Sequence, residues 1–190
     1  MAGRRMGPPD ASIRFELLDA TERVIARDGY PAVTSRSVGA EAGVDQKLVY
    51  YYFRNMEELV VATFHRRSKA FLATLEDTAA EDFPVRTLWK LSSHRSGRLM
   101  IEFMAMATHT PALREEVARY QAEATRIVET MLAKCLPDTR PDREIFSPAF
   151  TNFLIASLAR NLILETELDL LRNPEEIELS IHRLLDSLGC

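Results

Sequence analysis

Three consecutive tyrosines, Tyr50, Tyr51 and Tyr52, stand close behind Gln46 and Lys47. Each of these side chains carries a hydrogen-bonding group on a long or rigid stem. A phenol can bond a phosphate oxygen or lie against a sugar and a thymine methyl group. A glutamine amide matches adenine N6 and N7, and a lysine reaches guanine O6 and N7. If residues 45–52 form a short helix, Val49 and Phe53 fall one turn apart and, with Val44, make its packing side. That leaves Gln46, Lys47, Tyr50, Tyr51 and part of Tyr52 facing outward, because three successive tyrosines on so short a helix cannot all be core. This is chemistry for reading a polyanion rather than for breaking bonds.

Catalytic patterns are missing. His65, His94, His109 and His182 are scattered, with no H-x-x-x-H or H-E-x-x-H spacing. There is no glycine-rich phosphate loop and no G-x-S-x-G. The sequence therefore predicts neither an enzyme nor a bound metal or cofactor. Cys135 and Cys190 lie far apart and outside any C-x-x-C pair, so they read as bystander thiols of a reducing compartment, with a redox switch between them as the alternative.

The elements that would position the tyrosine segment are helical. Only seven glycines and nine prolines occur in 190 residues, and β-branched runs are few. Ile13, Leu17, Leu18, Val24 and Ile25 recur at helical spacing over 12–27, and Asp28-Gly29 ends that helix. A short second helix follows, capped by Thr34 or Ser35, with Val38 and Ala42 inward. Gly43 supplies the tight turn into the tyrosine helix. Two short helices joined in this way make a helix-turn-helix, whose second helix enters the major groove. Asn55-Met56-Glu57-Glu58 reads as a capping box opening a long helix with Leu59, Thr63, Phe64, Phe71 and Leu75. Further helices are expected over 85–92, 97–108, from Thr110-Pro111 towards 136, over 143–168, and from Asn173-Pro174 to 188.

The local sequence Thr34-Ser35-Arg36-Ser37-Val38-Gly39-Ala40-Glu41-Ala42-Gly43-Val44-Asp45-Gln46-Lys47-Leu48-Val49-Tyr50-Tyr51-Tyr52-Phe53-Arg54-Asn55 is the most distinctive of the chain. Over residues 14–64 it resembles the N-terminal domain of the TetR/AcrR family of repressors. The aromatic run ending in Phe, then basic-Asn-x-Glu-Glu-Leu, carries the likeness. By that resemblance Gln46, Lys47, Tyr50 and Arg36 approach bases. Thr34, Ser35, Tyr52 and the start of the fourth helix hold phosphates. The family usually has lysine where Met56 stands, and often a small residue or threonine at Leu48. Arg54, with Arg4 and Arg5 from an N-terminal arm, would compensate for the lost lysine, alongside the backbone N–H groups of the helix start.

The expected fold is all-α, with about nine helices. Residues 1–55 form an arm and a three-helix DNA-binding domain, and residues 56–190 a ligand-binding and dimerisation domain. The run 99–107 is apolar nearly all round apart from Glu102, and its methionines suit an adaptable cavity. Trp89, Met100, Glu102, Phe103, Met104 and Tyr120 are the candidate ligand residues, with His94 and His109 as further polar handles. In proteins this chain resembles, the ligand occupies the core of that body. Phe146, Phe150, Phe153, Leu154, Ser157 and Leu158, then Ile177, Ile181, Leu184, Leu185 and Leu188, form two stripes on the helices at 143–168 and 173–188. These are expected to join two copies in a four-helix bundle, with either stripe able to pack within the monomer instead and some of it bound to do so.

Charge is uneven. Residues 1–70 hold eleven basic and nine acidic side chains, a net of +2, and the remainder thirteen and nineteen, a net of −6. That leans towards nucleic acid at the N-terminal end, weakly. With no signal-like or membrane-spanning run, a cytoplasmic protein is expected. The resulting expectation is a repressor that binds a palindromic double-stranded operator as a homodimer and is released by a small, largely apolar effector. The alternatives are a helical interaction module, or an activator-type regulator without a small-molecule ligand.

Overall fold

A computed structural model describes residues 7–8, 11–78, 84–93, 96–136 and 145–188. Among them are nine α-helices: α1 (Ser12–Asp28), α2 (Ser35–Glu41), α3 (Lys47–Tyr52), α4 (Met56–Thr78), α5 (Pro84–Ser93), α6 (Ser96–Ala107), α7 (Pro111–Cys135), α8 (Pro148–Glu167) and α9 (Pro174–Leu188). A single 3-10 turn, Tyr30–Ala32, follows α1. The chain divides into two compact units. The first comprises Met1–Lys69 and Leu99–Arg119, and the second Ala70–Arg98 and Tyr120–Cys190. The chain passes between them within α4, α6 and α7.

The first unit is built around an apolar cluster in which Leu17, Leu18, Val38, Val49, Phe53 and Leu59 are all but fully buried. α1 ends where Gly29 takes φ of 76°, a left-handed conformation that lets the chain leave the helix without a Cβ clash. On the same unit, Phe64 of α4 meets Phe103 of α6 edge to face, their ring centres 5.2 Å apart. Arg66 of α4 is paired with Asp19 and Glu22 of α1, and Arg67 bonds Glu22 across 3.2 Å. The buried Glu116 of α7 is paired with His65 of α4 and with Arg119. These pairs join the long helices to one another and to α1 from outside the apolar cluster.

In the second unit α5 packs along α8. Trp89 lies in a large cluster with Leu132, Ile155, Ala159 and Leu185. Gly97 comes so near α8 that a Cβ there would be 2.4 Å from Ile163 Cδ1, an approach that a larger residue would push apart. Arg98 and Glu167 close the same edge with an ion pair of 3.0 Å.

Two expectations need correction here. The helix expected over 143–168 starts only at Pro148: Ile145 and Phe146 form a turn, and the Ser147 hydroxyl accepts a hydrogen bond from the Phe150 N–H across 3.2 Å. Ser147-Pro148 is an N-cap followed by a proline whose missing N–H costs nothing at the first helical position. Apolar periodicity at Phe146 obscures that signal. The bystander reading also fails at Cys135, which is disulfide-bonded. A disulfide needs only Cα atoms within about 7 Å, a condition that sequence separation does not decide. Cys190, Arg4, Arg5 and His94 lie outside the described residues. Among the described residues, no helix is long and apolar enough to cross a membrane.

Candidate nucleic-acid interface

α2 and α3 are set by local chemistry. Thr34 caps α2: its hydroxyl accepts from the Ser37 N–H across 3.1 Å, and Ser37 Oγ accepts in return from the Thr34 N–H across 2.9 Å. Sequence reasoning missed the reciprocal partner, Ser37, because serine at that position is an uncommon substitute for Glu or Gln. Ser35 opens the helix, half-buried, and Arg36 beside it is exposed. Gly43 turns the chain with φ of 69°. Asp45 Oδ1 then accepts from the Lys47 N–H across 2.8 Å, which fixes the first turn of α3.

A second glycine decides how closely the two helices approach. A Cβ on Gly39 would stand 3.0 Å from both Gln46 Cα and the Val44 carbonyl oxygen. Any side chain at this position would need the turn that leads into α3, at Val44 and Gln46, to give by a few tenths of an ångström. Sequence reasoning missed this residue as well, because a helical glycine reads first as a weakness.

The outward face of α3 follows. Val49 is fully buried and Phe53 closes the helix, its N–H bonded to the Val49 carbonyl. Gln46 and Lys47 are exposed, Tyr50 is half-buried and Tyr51 is exposed. Tyr52 turns inward: it is 8% exposed and its ring meets Tyr51 edge to face at 5.0 Å. Asn55 caps α4 by accepting the Glu58 N–H across 2.8 Å, and the Glu58 carboxylate accepts the Arg54 N–H across 2.9 Å. The exposed Arg54 guanidinium is 3.9 Å from that carboxylate. Met56 is half-buried against the apolar cluster, so the residue that replaces the family's usual lysine packs rather than reaching outward.

Much of the positive charge near this face is already committed. Glu41, at the end of α2, takes hydrogen bonds from Arg27 Nη1 at 2.8 Å and Arg23 Nε at 2.6 Å. The Arg27 hydrogen bond, then the Arg23 one, holds the Glu41 carboxyl below the ordinary carboxylate range. Arg14 lies over the Phe53 ring, 4.9 Å from its centre. Arg36 and Lys47 have no carboxylate partner among the described residues.

The candidate ligand residues fall into two sets. Met100, Glu102, Phe103 and Met104 belong to the first unit, where Phe103 is fully buried and the other three are half-buried. Trp89 and Tyr120 belong to the second, with Tyr120 stacked edge to face on Phe71. Glu102 already has a partner, the Tyr30 N–H at 3.2 Å.

Residues 17–63, which span α1 to α4, match the model of bacterial regulatory proteins of the tetR family. Those residues carry a helix-turn-helix domain of the TetR family. It is a family of transcriptional regulators and not of enzymes. An HTH-type transcriptional regulator of Haemophilus influenzae is 34% identical over 79 residues, covering 40% of this chain and 42% of that protein. The fatty acid metabolism regulator protein of Bacillus subtilis is 29% identical over 67 residues, covering 35% and 34%. Both matches thus cover less than half of the relative's length. Across nearly the whole length the likeness is one of fold. A transcriptional regulator of Saccharomonospora viridis, solved in complex with choline, superposes with a TM-score of 0.75 at 14% identity, over 91% of this chain and 95% of that one.

Proposed function

We propose that this chain, with its TetR-family N-terminal domain, is a repressor that binds a palindromic operator as a homodimer and releases it on binding a small effector. The observation that carries the DNA reading is the division of α3: Val49 and Tyr52 are buried, while Gln46, Lys47 and Tyr51 are exposed on a helix held by α2. In this reading residues 1–55 contact DNA and residues 56–190 bind ligand and partner copy. Gln46, Lys47, Tyr50 and Arg36 face bases, and Thr34, Ser35, Tyr51 and Arg54 meet the phosphates and sugars flanking them, while the buried Tyr52 backs the helix.

Dimerisation is supported by the second unit, where Phe150 and Phe153 of α8 and Ile177 and Leu179 of α9 are exposed to between 40 and 64%. Large apolar groups gathered on two helices favour burial against a second copy, and two-fold symmetry makes one patch serve both partners. Two heads then address major grooves about 34 Å apart. Selection of duplexes from a random-sequence library, followed by sedimentation of the complex, tests both points. Enrichment of an inverted repeat bound by two chains supports the reading. Failure to enrich any duplex, or binding by one chain to an asymmetric site, overturns it.

The effector is proposed to be largely apolar with one polar or charged group. The half-buried Met100 and Met104 support this, since a thioether repacks around irregular apolar shapes. The Saccharomonospora viridis neighbour, solved with choline, gives one example of a small ligand on this fold. Mass spectrometry of material released on denaturation would identify a co-purified molecule.

A further inference from the structure

The buried residues of α8 are Thr151, Ile155, Ala159 and Ile163, each one helical turn from the next. They form a single stripe, apolar except at Thr151. In the second unit Ile155 and Ala159 share one apolar cluster with Val85, Leu88 and Trp89 of α5, Leu132 of α7 and Leu185 of α9. Thr151 therefore carries a hydroxyl on the core-facing side of α8, and the residue is 0% exposed.

That hydroxyl has no hydrogen-bond partner among the described residues. Other buried threonines bond the carbonyl one turn back: Thr21 that of Leu17 across 2.7 Å, Thr63 that of Leu59 across 2.8 Å, and Thr78 that of Thr74 across 2.8 Å. The corresponding carbonyl for Thr151 belongs to Ser147 and accepts the Thr151 N–H across 2.9 Å. The hydroxyl does not use it. A buried polar group without a partner opposes folding, and a valine of the same shape would avoid that loss. The loss is recovered when a bound molecule supplies the missing partner.

The surroundings restrict what that molecule is. Among the described residues of the second unit, the buried polar side chains are Thr78, already bonded, and Thr151, and neither is charged. An ionised head group brought there would lose its hydration with no countercharge to replace it. A neutral oxygen needs only a hydrogen bond, which a threonine hydroxyl can donate or accept.

We propose that Thr151 is the polar anchor of the effector site: its hydroxyl bonds the one uncharged polar group, an alcohol or a carbonyl, of a ligand whose apolar body packs in the Trp89 cluster. The inference rests on the effector reading given above. It puts the polar contact in the second unit, on a side chain other than Glu102, whose carboxylate is already taken by the Tyr30 N–H.

Trp89 is the one tryptophan of the chain, so tryptophan fluorescence reports on this cluster. The test titrates the full chain with 1-octanol, octanoate and octylammonium, which share an apolar body under a neutral, an anionic and a cationic head. Octanol should change the Trp89 emission saturably, at concentrations about tenfold or more below those needed for either ion. Thr151→Val should weaken octanol binding about five- to tenfold, the effect of one lost hydrogen bond. The same variant should raise the melting temperature of the free protein by about 2–4 °C, because it removes the unpaired hydroxyl and keeps the shape. Thr151→Ser keeps the hydroxyl and should bind octanol like wild type. A valine variant that melts at or below wild type overturns the proposal, since the hydroxyl then has a partner in the free protein, either water or the Ser147 carbonyl. Unchanged octanol binding in that variant, tighter binding of either ion, or saturable binding of no probe overturns it as well. The effector reading is judged separately, by the co-purified molecule sought with mass spectrometry. Such a molecule, bound equally by wild type and Thr151→Val, leaves that reading standing and removes Thr151 from it.

Discussion

The Glu102 carboxylate of α6 accepts a hydrogen bond from the Tyr30 N–H across 3.2 Å, joining residues 72 positions apart. Tyr30 begins the 3-10 turn that follows α1, so its N–H is one that the turn itself cannot satisfy. An acidic residue inside an apolar helix is thereby explained without a ligand: it holds α6 to the turn that leads into α2. Glu102→Ala should cost about 1–2 kcal/mol of stability in urea unfolding, as expected when a hydrogen bond to a charged acceptor is removed. Glu102→Gln keeps an acceptor oxygen and should lose less than half as much. An equal loss in both variants would assign the effect to the charge and not to the Tyr30 contact.

Gly39 has a comparable structural duty in the reading head. Its Cβ-free surface faces Gln46 Cα and the Val44 carbonyl, both backbone and unable to swing aside. Gly39→Val should therefore push α2 away from the turn that sets α3, costing about 1–3 kcal/mol by overpacking. DNA affinity should fall with it. Gly39→Ala should fall between, because a single methyl at 3.0 Å asks for a shift of a few tenths of an ångström. Parallel urea curves and binding isotherms check the order Gly, Ala, Val.

The sequence was most readable where an element is decided by its own residues. Asp28-Gly29, the Thr34 cap, Gly43, Asn55 with Glu58, and Asn173-Pro174 each mark a boundary through local hydrogen bonding or φ, and each boundary is present. The exposure of Gln46, Lys47 and Tyr51 is equally readable, since burial of Val49 and Phe53 fixes the opposite side, whereas Tyr52 is buried. What depended on distant residues was not. Nothing near Glu102 in sequence announces Tyr30, and nothing near Gly7 announces Tyr52. Ser147-Pro148 was a local signal overridden by the apolar Phe146 just before it. Helical spacing sets Tyr52 half outward, and it says nothing about Gly7 covering its ring.

The Glu41 cluster makes a pH prediction with a definite sign. Its carboxyl is held below the ordinary carboxylate range, first by Arg27 and then by Arg23. A depressed native value means the pair stabilises the fold above the unfolded-state carboxylate value, and that this contribution disappears as pH falls through the native one. Glu41→Gln should lower the melting temperature near neutral pH. The gap from wild type should close in acid, below the native titration of Glu41. Because Glu41 and both arginines reach solvent, added salt should also shrink the gap. Melting curves across pH and salt, with a carboxyl-carbon NMR titration of Glu41, measure all three effects. A gap that stays constant into acid would mean that Glu41 acts through packing and not charge.

Gln46 and Tyr50 should separate the two kinds of DNA contact proposed for α3. Gln46 is exposed just before the helix, where an amide can present its donor and acceptor together. Tyr50 is half-buried, so its ring is partly held by the protein and its hydroxyl is the part left to a phosphate. Gln46→Ala should cost about 1–3 kcal/mol on the selected duplex and relax preference at one base position, with little change in salt slope. Tyr50→Phe should weaken binding to all duplexes by the same factor, leaving the ranking of sequences unchanged. Both substitutions lie away from Val49 and Phe53, so the melting temperature should stay within a degree or so of wild type, about the effect of a surface change. Competition binding against single-base variants of the selected duplex distinguishes the two patterns. If both variants bind and discriminate like wild type while folded, α3 is not the element that reads the DNA.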